Sequence, residues 1–253
     1  MTVAIDIGNT DVVIGFFKGE WKHIFRVSAH LGFEASEYEK KLRIFLLEED
    51  IPVLTIRQVI LSSVVPEMTP IIQEVLTHFY QEEIIILNGE VLKQLSLGQI
   101  DPYELGSDLA ANAVGAFEKY KQEVIVVDFG TALTFTAVSN RGEILGVSIA
   151  PGVHTAMKSL SSNTAKLPEI PLEIPTKVLG NNTIEAMQGG IMEGYVGLVE
   201  HMILQFQKEM NSQPKVIATG GLSFIFKPLH HLFDDMDVNL TLDGLRLIGE
   251  KMG

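Results

Sequence analysis

Two short segments carry residue types that could handle phosphate: Asp6-Ile7-Gly8-Asn9-Thr10 and Asp128-Phe129-Gly130-Thr131-Ala132. In each, an apolar run delivers a carboxylate and then breaks at a glycine. Gly8 permits a tight turn and close approach to a ligand. The N–H groups of such a turn, with the Asn9 and Thr10 side chains, suit a bound phosphate, and Asp6 suits a hydrated Mg²⁺. A plain hairpin turn would use the same residues. Two copies, each closing the first strand of a repeated unit, weigh toward a ligand, because a carboxylate is costly to bury unless paired. Facing one another across a cleft, the two turns would grip a polyphosphate from both sides.

Two more motifs follow the same logic. Thr219-Gly220-Gly221 ends the apolar run Val216-Ile217-Ala218 and opens a helix. Its glycines would let the backbone lie against an aromatic ring or a phosphate, with a helix N-terminus favouring anions; it would also serve as an ordinary strand-to-helix turn. Gly106-Ser107-Asp108 begins another helix. Ser and Asp are good caps there, and the helix N-terminus would also stabilise an ionised Asp108. His23, His30, His78, His154, His201, His230 and His231 show no ligand spacing and read as ordinary surface or core histidines. Neither a Ser-His-Asp arrangement nor a P-loop is found.

These residues need elements to hold them. The patterning predicts strands over 2–7, 11–17 and 21–28, a helix over 35–49, a strand at 59–61, a helix over 69–80 and a strand over 83–87. After a mixed stretch at 89–105, a helix is expected over 106–119. The pattern then restarts with strands over 124–129, 133–139 and 144–150 and a helix over 153–162. A Pro-rich loop, a long helical region over 183–210, a strand over 216–219, a helix over 222–232, a strand over 238–240 and a helix over 242–252 complete it. Asp128 lies 122 positions after Asp6, so the halves are one duplicated domain. The expected division is 1–115, with the first phosphate turn, and 116–253, with the second turn and an adenosine region. The expected fold class is α/β, two similar mixed-sheet domains with a cleft between them.

Composition narrows the partners. The chain has 253 residues and a net charge of -13, with a pI near 4.9. Such a chain is a poor partner for nucleic acid or anionic lipid, whose phosphates need Lys and Arg. Cysteine is absent, which removes disulfides, Cys-ligated zinc, iron–sulfur clusters and thiol catalysis. The N-terminus MTVAIDIGNT reads as no secretory signal, and no apolar run has membrane-spanning length. The cytoplasm is the expected compartment.

Several segments together resemble the type III pantothenate kinases: IDIGNT at 5–10, LGSD at 105–108, VDFGTALTF at 127–135, IAPGV at 149–153, GNNTIEAMQGGIMEG at 180–194, ATGG at 218–221 and LTLDGL at 240–245. The resemblance runs from Val3 to Gly249. It implies the duplicated ribonuclease H-like fold shared with acetate kinase, sugar kinases, heat-shock chaperones and actin. It implies ATP-dependent phosphorylation of pantothenate to 4′-phosphopantothenate, the opening step of coenzyme A synthesis, by a homodimer using a divalent cation such as Mg²⁺ and a monovalent one, K⁺ or NH₄⁺. Position by position, it assigns ATP binding to Asp6, Ile7, Gly8, Asn9, Thr10, Asp11, Val12, Val13 and Thr131. Asp108 would be the catalytic base and Asp128 the monovalent-cation ligand, and Asp6 would hold Mg²⁺ through water. Gln99, Gly106, Ser107, Asp108, Leu109 and Thr183 would meet pantothenate. Two positions depart from the family pattern: Leu109 stands where Arg is usual, and Gln99 where Tyr is usual. Weak pantothenate binding is therefore expected, with Leu109→Arg lowering the KM. The rival readings are a nucleotide-binding homologue without turnover, acting as a regulator, and a kinase of this fold with another hydroxyl substrate.

Overall fold

The computed structural model describes residues 1–29, 34–81 and 83–253. His30 lies outside the described residues. The chain divides into two units, Met1–Gly115 with Asn239–Gly253, and Ala116–Val238.

In the first unit, β1 (Thr2–Ile7), β2 (Asp11–Phe17) and β3 (Trp21–Ser28) form an antiparallel meander. β4 (Gln58–Ser63) lies parallel to β1, and β5 (Ile85–Ile86) parallel to β4, giving the order β3-β2-β1-β4-β5. Alternation decides which side chains face which layer. Val3, Ile5, Ile7, Val59 and Leu61 join the core made with Tyr38 and Leu42 of α1 (Ala35–Glu48) and Ile72 and Val75 of α2 (Met68–Thr77). Ala4, Asp6, Ile60 and Ser62 therefore project from the opposite face.

That opposite face receives α8 (Leu240–Met252), which packs on β1 and β4. Trp21 Nε1 donates to Asp243 at 3.0 Å, and Gln58 Nε2 donates to the Gly249 carbonyl at 2.7 Å. α3 (Gly89–Gln94) precedes α4 (Ser107–Tyr120). The small residues Ala110, Ala111 and Ala113 are buried, and α8 crosses α4 so closely that a Cβ on Gly244 would lie 1.8 Å from the Ala111 carbonyl oxygen. This contact occupies the small-residue face within the unit. It also corrects the expected second domain: residues 239–253 pack with the first unit.

The second unit repeats the plan. β6 (Val124–Phe129), β7 (Ala132–Val138) and β8 (Ile144–Pro151) form a meander, β9 (Lys215–Thr219) runs parallel to β6, and β10 (Asp235–Met236) parallel to β9. The order β10-β9-β6-β7-β8 is that of the first sheet read from the other edge. Ile125, Val127, Phe129, Leu133 and Phe135 bury against α5 (Val153–Asn163), α6 (Thr183–Gln188) and α7 (Gly194–Met210).

Three local expectations are corrected. The strand expected at 238–240 is β10 at Asp235–Met236; Val238 is exposed, and Leu240 starts the buried stripe of α8 with Leu242, Leu245 and Ile248. The helix expected over 222–232 is two 3₁₀ turns, Ser223–Ile225 and Lys227–Leu232. Pro228 lacks the N–H that a continuous α-helix would need. The helical region over 183–210 contains a π-helical turn at Gly189–Glu193, where a Cβ on Gly189 would lie 2.4 Å from the Val178 carbonyl oxygen.

Candidate active site

In the first unit, the β1–β2 turn is closed by Gly8 N–H donating to the Asp11 carbonyl at 2.9 Å. Gly8 holds no positive φ; the tight turn comes from this bond. Asn9 and Thr10 are exposed, while Asp6 is half-buried. The Ile7 and Val12 side chains belong to the core under α1 and α2, so only their backbone is available to a ligand. Val13 is the register partner of Asp6. Asp11 is held by Arg26 at 2.9 Å, placing a cation beside the turn that sequence reading did not single out.

Asp108 stands one residue inside the start of α4. Its Oδ1 accepts the Leu109 N–H at 2.8 Å, one of the orphan donors of a helix first turn. Burial raises its pKa above the ordinary carboxylate value, against the opposing pull of the Leu109 and Asp108 backbone N–H groups. Gly106 makes room for this arrangement, since a Cβ there would lie 2.6 Å from Asp108 Oδ1. Desolvation with a modest hydrogen-bond counterweight suits a carboxylate that must take a proton.

Asp108 is brought to the same end of the sheet as Asp6. Ser62 is the parallel-register partner of Asp6, and its hydroxyl bonds the Ser107 hydroxyl at 2.8 Å. Sequence reading missed Ser62, because its partner lies 45 residues away. Of the expected substrate contacts in this unit, Gly106, Ser107 and Asp108 are together at the start of α4. Leu109 is buried, with 7% exposure, and Gln99 is exposed beside Gly98, whose φ is +93°.

In the second unit, Asp128 is the penultimate residue of β6, with Thr219 as its parallel partner and Thr134 as its antiparallel one. Gly220 has φ +86°, and a Cβ there would lie 2.5 Å from Asp128 Oδ1. The Thr219-Gly220-Gly221 turn therefore packs its backbone directly against the Asp128 carboxylate. Thr131 is exposed, and its carbonyl accepts the Gly152 N–H at 3.0 Å and the Thr155 hydroxyl at 2.7 Å. Thr183 is exposed at the first position of α6, whose N-cap Asn182 accepts the Glu185 N–H at 3.0 Å.

Among the described residues, no three His, Asp or Glu side chains gather as a metal cage. A single carboxylate at a strand end instead suits a cation that keeps most of its waters and shares phosphate oxygens, as Mg²⁺ does. His23 and His78 pair with Glu49 and Glu39 on the surface.

Two α/β halves with one strand order, each ending its central strand in Asp-x-Gly, define the duplicated ribonuclease H-like class to which sugar kinases belong. A Campylobacter jejuni protein assigned to the Baf family of transcriptional activators superposes with a TM-score of 0.60 at 18% identity, covering 99% of this chain and 98% of its own. A Sinorhizobium meliloti protein assigned as a 2-dehydro-3-deoxygalactonokinase superposes with a TM-score of 0.59 at 10% identity, covering 100% and 97%. These likenesses speak for the fold. Sequence goes further: residues 2–205 match the type III pantothenate kinase family model. The type III pantothenate kinase of Moorella thermoacetica is 39% identical over 252 residues, 99% of each chain. The chain belongs to the type III pantothenate kinase family.

Proposed function

We propose that this chain transfers the γ-phosphoryl group of ATP to the primary hydroxyl of pantothenate, giving 4′-phosphopantothenate and ADP, the first step of coenzyme A synthesis. Family membership over the full chain supports the reaction. The observation that carries the site is the half-buried Asp108 carboxylate, raised in pKa, at a helix start tied to the strand beside Asp6.

Asp108 accepts the hydroxyl proton as the oxygen attacks phosphorus. Phosphoryl transfer asks little covalent chemistry of the protein, so positioning and charge stabilisation dominate. The turn Asp6–Val13 offers backbone N–H groups and the Asn9 and Thr10 side chains to ATP, and Thr131 adds a second contact. Asp6 would hold Mg²⁺ through water, and Mg²⁺ when bound would offset the charge of the phosphates. Asp128 would hold K⁺ or NH₄⁺. Gln99, Gly106, Ser107 and Thr183 orient pantothenate, and Leu109 is buried one position after Asp108. The protein works as a homodimer in the cytoplasm; no helix among the described residues is long and apolar enough to cross a membrane.

A coupled ADP-release assay with and without pantothenate, in K⁺ and in Na⁺ buffer, tests this reading. Pantothenate-dependent release that is stronger in K⁺ is expected. ATP binding with no release for any hydroxyl substrate would replace it with the nucleotide-binding regulator.

A further inference from the structure

Ser62 is a hydroxyl that directly follows the apolar run Val59-Ile60-Leu61 of β4, and it has no exposed surface. A buried hydroxyl without a partner is costly, and its partner is the Ser107 hydroxyl at 2.8 Å. Ser107 has one hydroxyl proton. It lies 3.3 Å from the Ser63 carbonyl, which can only accept, so Ser107 donates there and accepts from Ser62. The two bonds run in one direction, from the Ser62 hydroxyl through the Ser107 hydroxyl to the Ser63 carbonyl. They fasten the first residue of α4 to the last two residues of β4.

What they fasten matters for the reaction. Ser62 is in register with Asp6, and Ser107 is followed directly by Asp108. The Asp108 carboxylate is bound to the helix it stands on, through Leu109 N–H, so it moves with the helix start. Relying on the reading of Asp108 as base, we infer that Ser62 is a positioning residue. It sets where the Asp108 carboxylate stands relative to the phosphate turn at Asp6, without touching substrate. The neighbouring hydroxyl pair serves as a contrast. Thr69 donates to Ser63 Oγ at 2.8 Å, and Ser63 Oγ accepts the Val65 N–H at 3.2 Å, so those two hydroxyls brace the turn after β4, while Ser63 meets α4 through its backbone carbonyl.

The test uses the purified full chain and compares Ser62→Ala, Thr69→Val, Ser107→Ala, the Ser62→Ala/Ser107→Ala double variant and Asp108→Asn. Each is measured for kcat at saturating substrates, KM for ATP and melting temperature. A misplaced group can cost up to about 100-fold in rate. Ser62→Ala is expected to lower kcat about 10-fold or more while the KM for ATP stays within about twofold. Thr69→Val is expected to lower the melting temperature comparably and leave kcat unchanged. Because Ser62 acts through Ser107, the double variant should lose no more kcat than the worse single one. If Ser62→Ala fails to fold, Ser107→Ala cuts the same bond from the α4 side and carries the same kcat expectation. Equal kcat in Ser62→Ala and Thr69→Val, or losses that multiply in the double variant, would overturn the inference while Asp108→Asn remains inactive. Full activity in Asp108→Asn would instead remove the base itself, and the positioning role with it.

Discussion

Gly106→Ala separates what the site needs from what the fold needs. Gly106 does not hold a positive φ, so the backbone accepts alanine. The new Cβ would sit 2.6 Å from Asp108 Oδ1, where ordinary contact begins at 3.4 Å. The carboxylate must therefore retreat by about 0.8 Å, a displacement of the size that costs rate steeply. A terminal carboxylate is free to swing, so the fold gives way easily. The stability cost is the lost bond to Leu109 N–H, about 1–2 kcal/mol. It is joined by opposing terms of under about 1 kcal/mol each from the cap position and from the unfolded chain. For a chain of this length that corresponds to a drop of roughly 2–8 °C in melting temperature. Turnover should fall by about 10- to 100-fold, with the KM for ATP little changed. The assay is ADP release at saturating ATP and pantothenate beside a thermal melt. A variant with wild-type kcat would refute the reasoning, because it would show that the position of the Asp108 carboxylate does not matter.

Other outcomes follow from the same geometry. Gly220→Ala forces a side chain into φ +86° and against Asp128 and the Phe129 backbone. It should destabilise by about 1–3 kcal/mol from backbone strain alone, seen in a melt, and should weaken any K⁺ activation. Leu109→Arg places a guanidinium at a buried position, so a stability loss of about 3–5 kcal/mol is expected in chemical denaturation unless a partner meets it. A lowered KM for pantothenate without that loss would show that the side chain reaches the ligand. Asp235 is held down to about 2 by the Tyr120 hydroxyl first and Lys119 second. Its contribution is present above the ordinary value of 3.8 and is lost as pH falls toward about 2. Asp235→Asn should flatten that part of an acid-unfolding curve, and an unchanged curve would show that the contact contributes nothing in solution.

The strands that carry the aspartates were legible because each is a short apolar run ended by a glycine turn, a local signal. The topological equivalence of β1 and β6 was legible as a repeat. α8 was recognisable as a helix from its apolar spacing, but its partner was not. Packing on β1, β4 and α4 depends on Gly244 and Gly249, whose value lies in surfaces far away in sequence. The strand at Asp235–Met236 was hidden because it is two residues long and lies among Asp234, Asp235 and Asp237, which look unlike strand. Its pairing with β9 is supported by Lys119, Tyr120 and the Val216 N–H, which donates to Asp234. Ser62 had no local signature at all, and only the fold reveals that each aspartate's parallel neighbour, Ser62 or Thr219, carries a hydroxyl.

The central claim is tested most directly by mass-spectrometric detection of 4′-phosphopantothenate from ATP and pantothenate, for the wild-type chain and for Asp108→Asn, with ATP affinity measured on both. Asparagine keeps the size and hydrogen-bonding capacity of the side chain but cannot take the proton, and loss of a general base costs about 10²–10⁴-fold. The account predicts product with the wild type, a loss in that range with Asp108→Asn, and equal ATP affinity. Product formed by Asp108→Asn at the wild-type rate, or no product from the wild type despite bound ATP, would contradict it.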